Sequence, residues 1–185
     1  MSRSERYFLL CILVLASCSL FINLGVAPLR HEEPRRAFIA LEMLFRENWI
    51  VPTQMGELYY NKPPLYNWIL ISAFSLFGNF SEFAVRFVSV VSLINIVFLI
   101  FWVGKRYLSL TFAVYSALFF LVSADIYYYI SLTGEIDLFY SLITFGSFIT
   151  VFHFFQQKRW YALFLLTYLL TALGTLTKGL PSITF

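Results

Sequence analysis

The sequence predicts an all-α fold: a polytopic bundle of transmembrane helices with interfacial helices in its first outward-facing loop. Hydrophobic residues make up 60% of the 185 residues and charged residues only 12%, whereas soluble domains carry about 25% charge. The apolar residues gather in charge-free stretches close to the roughly 20 residues that cross a bilayer. The net charge is +3 and no basic stripe is present, which argues against a nucleic-acid partner.

Five charge-free stretches predict membrane spans. They cover residues 7–28, 87–104, 107–124, 138–155 and 160–177. A sixth span is predicted to begin at Gly179. In the first stretch, Leu15 to Cys18 is similar to a lipoprotein cleavage box. The apolar run continues past Cys18 to about Ala27, however, which is a spanning length rather than a short signal core.

Three basic clusters predict the orientation of the chain. They are Arg3 with Arg6, Lys105 with Arg106, and Lys158 with Arg159. With the N-terminus in the cytoplasm, all three clusters face the cytoplasm, as the positive-inside rule requires. The loops over residues 29–86 and 125–137, and the turn near Lys178, then face outward.

The first outward loop holds 12 of the 23 charged residues, six of each sign, which predicts a folded and charge-paired segment. Residues 34–48 are predicted to form an amphipathic helix in the membrane interface. Residues 64–78 are predicted to form a re-entrant or interfacial helix, which Pro63 and Pro64 start and Gly78 ends. The alternative is a further span, which would reverse the orientation of all later loops. The apolar face of the first helix consists of Phe38, Leu41, Phe45 and Trp49.

Two groups in this loop are candidates for chemistry. Glu32 or Glu33 can act as a general base on an acceptor group, or simply complement the start of the following helix. Lys62 precedes two prolines that fix the backbone, so it can hold a lipid phosphate, or merely extend toward the water at the interface.

Two further candidates lie in the later outward segments. Asp137 opens an apolar run, where a carboxylate also suits the helix dipole. Lys178 is a cation at an outward turn and is a weak signal alone. Two histidines are too few to indicate a metal site, although a ligand set of His31 with Glu32 or Glu33 stays open.

In this order, these groups resemble the membrane glycosyltransferases that use polyprenyl-phosphate sugars, the GT-C class. The nearest are the bacterial aminoarabinose transferases and the protein O-mannosyltransferases. The loop-one motif is specific and the later matches are modest. The matching residues are Glu42-Met43-Leu44, Trp49-Ile50-Val51-Pro52, Gly56, Tyr59, Lys62-Pro63-Pro64-Leu65, Trp68, Ala84, Arg86, Asp137 and Thr177-Lys178-Gly179.

The resemblance implies transfer of a sugar from a polyprenyl-phosphate donor to a lipid, glycan or protein acceptor on the non-cytoplasmic face. It also implies that the protein lies in a bacterial inner membrane. By this resemblance Glu32, with Glu33 beside it, corresponds to the family's first-loop acid, the expected catalytic carboxylate that acts as base on the acceptor. Asp137 corresponds to the family's second-loop acid and is also assigned to the catalytic residues. Lys62 corresponds to its phosphate-binding lysine. Lys178 and Arg35 are also assigned to the lipid phosphate, and Arg35 would in addition orient Glu32 or Glu33.

Two departures from the family pattern matter. Glu32 stands where the family usually has Asp, and Asn61 stands where the aminoarabinose enzymes carry a Glu implicated in metal binding. We therefore expect no metal and no other cofactor. Family enzymes have many more spans, so the chain is expected to be an N-terminal portion, a truncated gene product or one half of a split protein. The alternatives are a transporter or lipid flippase subunit and a non-catalytic remnant.

Overall fold

The computed structural model describes residues 3–184, and the predicted helical class is confirmed. Within residues 46–64 the chain forms a short antiparallel hairpin, β1 (Thr53–Gln54) and β2 (Glu57–Leu58). Shorter helical turns cover Asp125–Tyr129, Ile130–Leu132 and Leu180–Thr184. The α-helices of the described part are α1 (Arg3–Ser19), α2 (Glu33–Phe45), α3 (Leu65–Phe77), α4 (Glu82–Tyr107), α5 (Leu110–Leu121), α6 (Ile136–Gln156) and α7 (Trp160–Lys178).

Within residues 3–184, three helices are long and apolar enough to cross a membrane: α4, α6 and α7. A fourth crossing results if α5 and the turns over Asp125–Leu132 count as one span bent by 54°. Helix α4 begins at Glu82, earlier than the predicted position 87, because Ser81 caps it by accepting a hydrogen bond from the Ala84 N–H at 3.4 Å.

The first predicted span differs from the structure. Helix α1 ends at Ser19, and residues 20–27 continue as turns instead of helix. Asn23 has a φ of 61°, a left-handed conformation that interrupts an α-helix. The carbonyl groups of this segment are therefore free to bond elsewhere, and their partner is described below. The side chains of Arg3 and Arg6, used to predict orientation, lie outside the described residues.

Both helices predicted in the first loop are confirmed. Helix α3 has only 13 residues, about 20 Å of helix, which is too short for a further span. It ends at Gly78, whose φ of 63° fits the left-handed cap. Ala40 and Met43 of α2 pack into the core, whereas Phe45, on the face predicted to lie in the membrane interface, is 68% exposed.

Two clusters of buried side chains hold the helices together. The first joins α2, α3 and the start of α4, with Met43, Phe74 and Val85 at its centre. The second joins the turns after α1 to α4, α5 and α6 through Leu24 and Leu93. Helices α2 and α3 are thereby fixed against the N-terminal end of α4, where the candidate residues lie.

The predicted sixth span also differs. After α7, Gly179 adopts a φ of 80° and the chain forms a short helical turn over Leu180–Thr184 that packs back on the bundle. Ser182 is buried there and donates a hydrogen bond to the Tyr140 hydroxyl at 3.2 Å. Phe185, which also belongs to the predicted span, lies outside the described residues.

Candidate functional site

Glu33 is a buried carboxylate at the start of α2, with 1% of the residue exposed. It accepts hydrogen bonds from the backbone N–H groups of Arg30 at 2.7 Å and Gly134 at 2.6 Å. Its two oxygens also accept from Arg86, at 2.8 Å and 3.0 Å. Burial acts to raise the pKa of Glu33, but the bonds from Arg86 and the two backbone groups outweigh it, and the pKa is lowered.

Arg86 uses all five of its N–H groups. Two donate to Glu33, and the other three donate to the carbonyl oxygens of Leu24, Ala27 and Pro28, at 2.9, 2.7 and 2.9 Å. These carbonyls lie in the segment after α1, where the chain is not helical and the N–H partners of a continuing helix are missing. Only a guanidinium offers five donors in a fixed fork, so Arg86 replaces the missing helical bonds and pairs with the buried acid at once.

The Glu33–Arg86 pair connects segments that are distant in sequence. Gly134, which bonds Glu33 through its N–H, also accepts a hydrogen bond from the buried Tyr66 hydroxyl at 3.0 Å. A side chain at Gly134 would overlap Val85 of α4. Helices α2, α3, α4 and the segment leading to α6 therefore meet around one carboxylate.

Glu32, one residue earlier, has a different environment. Its side chain is 44% exposed and forms an ion pair with Arg35, and it lies 3.8 Å from the guanidinium of Arg36. Arg36 is buried and donates to the Tyr59 hydroxyl at 3.1 Å. Glu32 is thus oriented by two cations and remains accessible, as a base that meets a substrate must be.

The segment that carries Lys62 is docked on α2. The Glu42 carboxylate accepts bonds from the Thr53 hydroxyl at 2.6 Å and the Gly56 N–H at 3.2 Å, which fixes the β1–β2 hairpin. The Arg36–Tyr59 bond fixes the chain after β2. Lys62 follows, partly exposed. Among residues 3–184 the structure gives it no ion-pair or hydrogen-bond partner, so its charge is free for a ligand.

Asp137 and Lys178 form an ion pair between the start of α6 and the end of α7. The carboxylate is 54% exposed, and the Lys178 ammonium also lies 4.8 Å from the centre of the Tyr140 ring. The two residues were predicted for different tasks, Asp137 as a catalytic acid residue and Lys178 as a ligand of the lipid phosphate. The structure brings them together as partners.

Beside this pair, Glu135 is a partly buried acid. Burial and the neighbouring Asp137 carboxylate raise the pKa of Glu135, and the repulsion from Glu33 acts in the same direction. His31 opposes this effect through its positive charge. The surroundings of Glu135 therefore favour its protonated form.

No three His, Cys, Asp or Glu side chains within residues 3–184 are grouped closely enough to hold a metal ion. The open ligand set of His31 with Glu32 or Glu33 therefore has no third member in the described part. The absence of a metal requirement stays a prediction.

Several residues of the site were not assigned a role from the sequence, among them Arg86, Gly134 and Tyr59. Arg86 and Tyr59 belonged to the resemblance, but nothing in the pattern indicated their partners. A signal for Arg86 was present, because a charge four residues into an apolar helix is costly unless it is paired. Gly134 gave no signal, since its role depends on the approach of Val85.

The sequence model of the dolichyl-phosphate-mannose-protein mannosyltransferase family matches residues 61–183. Over 47 residues the chain is 43% identical to the undecaprenyl phosphate-alpha-4-amino-4-deoxy-L-arabinose arabinosyl transferase of Pseudomonas savastanoi pv. phaseolicola. That match covers 25% of this chain and 9% of the relative.

Two crystal structures of ArnT from Cupriavidus metallidurans have the same fold. The apo structure superposes with a TM-score of 0.82, and the structure bound to undecaprenyl phosphate with 0.81. The sequence identity is 18% in both cases. Each match covers 99% of this chain and 34% of the ArnT chain, so this chain spans about a third of that protein's length.

Proposed function

The chain belongs to the dolichyl-phosphate-mannose-protein mannosyltransferase family, and on this premise we propose that it transfers a sugar from a polyprenyl-phosphate donor to a lipid, glycan or protein acceptor. The proposed location is the non-cytoplasmic face of a bacterial inner membrane, with the N-terminus in the cytoplasm. The family match supports the reaction class. The ArnT structure with undecaprenyl phosphate supports a donor of this lipid class.

One contrast at the site carries the assignment of roles. Of the two neighbouring acids, Glu33 is saturated with hydrogen bonds, whereas Glu32 is accessible and held by Arg35. We assign Glu32 as the base that removes the proton from the acceptor hydroxyl. The acceptor oxygen then bonds to the anomeric carbon while the bond from that carbon to the phosphate oxygen breaks. Glu33 is a positioning residue in this scheme.

The departing lipid phosphate needs cations. Lys62 has no partner among the described residues and lies at the head of α3, held by Pro63 and Pro64, so we assign it to the phosphate. Arg35 lies beside Glu32 and can contact the same phosphate. Lys178 forms an ion pair with Asp137. Either residue would therefore take part in the reaction only after this exposed pair opens, or through the polar atoms that the pair leaves exposed.

The transporter alternative has less support. Helix α4 has no charged residue between Arg86 and Lys105, and α7 has none between Arg159 and Lys178. A transporter usually carries ionisable groups near the middle of its spans. Here the charges lie at the helix ends, where interfacial chemistry takes place.

The test is sugar transfer in membranes that contain the chain, with radiolabelled polyprenyl-phosphate mannose and polyprenyl-phosphate aminoarabinose as donors. Glu32→Gln should lower the transfer rate by about 10²–10⁴-fold, the usual contribution of a general base. The matched control is Glu57→Gln, an exposed acid on β2, which should transfer at the normal rate. Equal rates for the two variants would remove Glu32 from its role, and no transfer by the unmodified chain from either donor would contradict the proposed function.

A further inference from the structure

The end of the bundle opposite to Glu33 and Arg86, called here the basic end, carries a groove that sugar transfer does not use. The groove lies between α4, α6 and α7 and has a volume of about 410 Å³. Apart from Thr150 and His153, its lining is apolar or aromatic, and Phe98 is 58% exposed along it. The groove is therefore a lateral, hydrocarbon-like surface.

The groove ends at an aromatic and polar collar. The Trp102 ring lies 4.9 Å from the His153 ring. The two nitrogens of His153 are 2.6 Å from the Tyr107 hydroxyl and 2.7 Å from the Gln157 amide nitrogen. These contacts bring the last turn of α4 against the last turn of α6. Tryptophan with polar neighbours is typical of the level where the hydrocarbon core of a membrane ends.

Four cations follow the collar directly. Lys105 and Arg106 come just after Trp102, and Lys158 and Arg159 come just after Gln157. Among the described residues none of the four has an ion-pair partner. The sequence places no Asp or Glu between Glu82 and Asp125, and none after Asp137, so the acid at this end is Glu5, which lies between Arg3 and Arg6 at the start of α1. The basic end therefore carries an excess of positive charge, and each such cation near a membrane surface attracts anionic lipid by about 1 kcal/mol.

We propose that the groove and the four cations bind one anionic phospholipid of the membrane leaflet at the basic end. An acyl chain occupies the groove, Trp102 lies at the level of the ester groups, and the phosphate lies between the two basic pairs. The positive-inside rule accounts for the charges by themselves. It does not account for an apolar groove that runs to them, and a soluble anion would leave that groove empty. The inference does not depend on sugar transfer.

The test is thermal unfolding of the full chain, purified in an uncharged detergent, with added phosphatidylglycerol or with phosphatidylcholine of the same acyl chains. Phosphatidylglycerol should raise Tm by several degrees more than phosphatidylcholine, and the difference should shrink in high salt. Gly146→Leu fills the groove: an added Cβ meets only Leu170, at 4.0 Å, so the longer side chain enters the groove without a backbone clash. Thr150→Leu serves the same purpose if Gly146→Leu does not fold.

Both groove-filling variants, and the paired variant Lys158→Gln/Arg159→Gln, should lose most of the preference for phosphatidylglycerol. Arg30→Gln, which removes an exposed cation at the opposite end, should keep it. An equal response of the unmodified chain to the two lipids overturns the proposal. Full retention of the preference when the groove is filled overturns it as well, since the cations alone would then explain the binding.

Discussion

Glu33 with Arg86, and Asp137 with Lys178, are both acid–base pairs that join distant segments at the same end of the bundle, but their surroundings differ. Glu33 and Arg86 are buried, with side-chain exposures of 1% and 4%, and every N–H of Arg86 has a partner. The Asp137 side chain is 54% exposed. A buried charge pair cannot lose one member without leaving the other uncompensated, whereas an exposed pair can. The first pair therefore determines the structure of the site, and the second is available for chemistry.

The largest effect is expected when Arg86 is replaced. Arg86→Met leaves the Glu33 carboxylate and three carbonyls of the turns after α1 without their donors, which should cost about 3–5 kcal/mol of unfolding free energy. Arg86→Lys should recover little, because an ammonium has three donors and Arg86 uses five. Thermal unfolding in detergent measures both variants.

A double variant sharpens this expectation. Arg86→Met combined with Glu33→Gln removes the unpaired charge but not the three unsatisfied carbonyls, so it should be only partly restored. Full recovery of Tm would mean that the carbonyl bonds contribute little and that Arg86 serves only as a counter-ion.

The next effect in size concerns the close approach at Gly134. Gly134→Ala places a methyl group against Val85 and beside the Glu33 carboxylate. We expect a loss of about 1–3 kcal/mol, the usual cost of overpacking a tight core. Gly146→Ala is the matched control, since its methyl group meets nothing closer than 4.0 Å. If both variants unfold at the same temperature, Gly134 is not the close contact that joins the segment before α6 to α4.

The exposed pair should affect stability much less. Asp137→Asn and Lys178→Gln should each change the unfolding free energy by at most about 1 kcal/mol, the range of surface ion pairs. If Asp137 takes part in sugar transfer, Asp137→Asn loses transfer while its Tm stays near that of the unmodified chain. A loss of several kcal/mol would contradict the comparison, because it would make this pair as structural as the buried one.

The same comparison explains what the sequence could predict. Charge-free runs predicted the positions of α6 and α7 to within about two residues, because each run is bounded by charges that cannot enter the bilayer. The end of α1 was not predictable in this way. Its turns are as apolar as a helix, and they are stable only because Arg86, more than 50 residues later, donates to their carbonyls.

For the site, the sequence placed Glu32, Glu33 and Lys62 in one loop but could not separate the two acids. Their different environments arise from tertiary contacts: Glu33 faces Arg86 and Gly134, and Glu32 faces Arg35. Adjacent residues at a helix start point about 100° apart, so one side chain enters the core and the other does not. Which of them is buried depends on the distant partners, and no local pattern records those.

The smallest effect on stability is predicted for Glu135, and here the substitution should stabilise the protein instead of destabilising it. Burial and Asp137 raise the pKa of Glu135 above its ordinary value, so the folded state binds this proton more tightly than the unfolded chain does. Its contribution to stability is complete below the ordinary pKa and is lost as the pH rises through the raised value.

Glu135→Gln keeps the neutral form at every pH, and it should therefore raise Tm slightly at pH 7 and leave it unchanged near pH 4. Glu33 behaves in the reverse manner, because its lowered pKa gives stability that disappears only as the pH falls below the ordinary range. The measurement is Tm from pH 4 to pH 8 for Glu135→Gln and for the unmodified chain. A variant that is less stable than the unmodified chain at pH 7 would contradict the expected sign. It would show that a cation such as His31 stabilises the ionised Glu135 more than the acidic neighbours destabilise it.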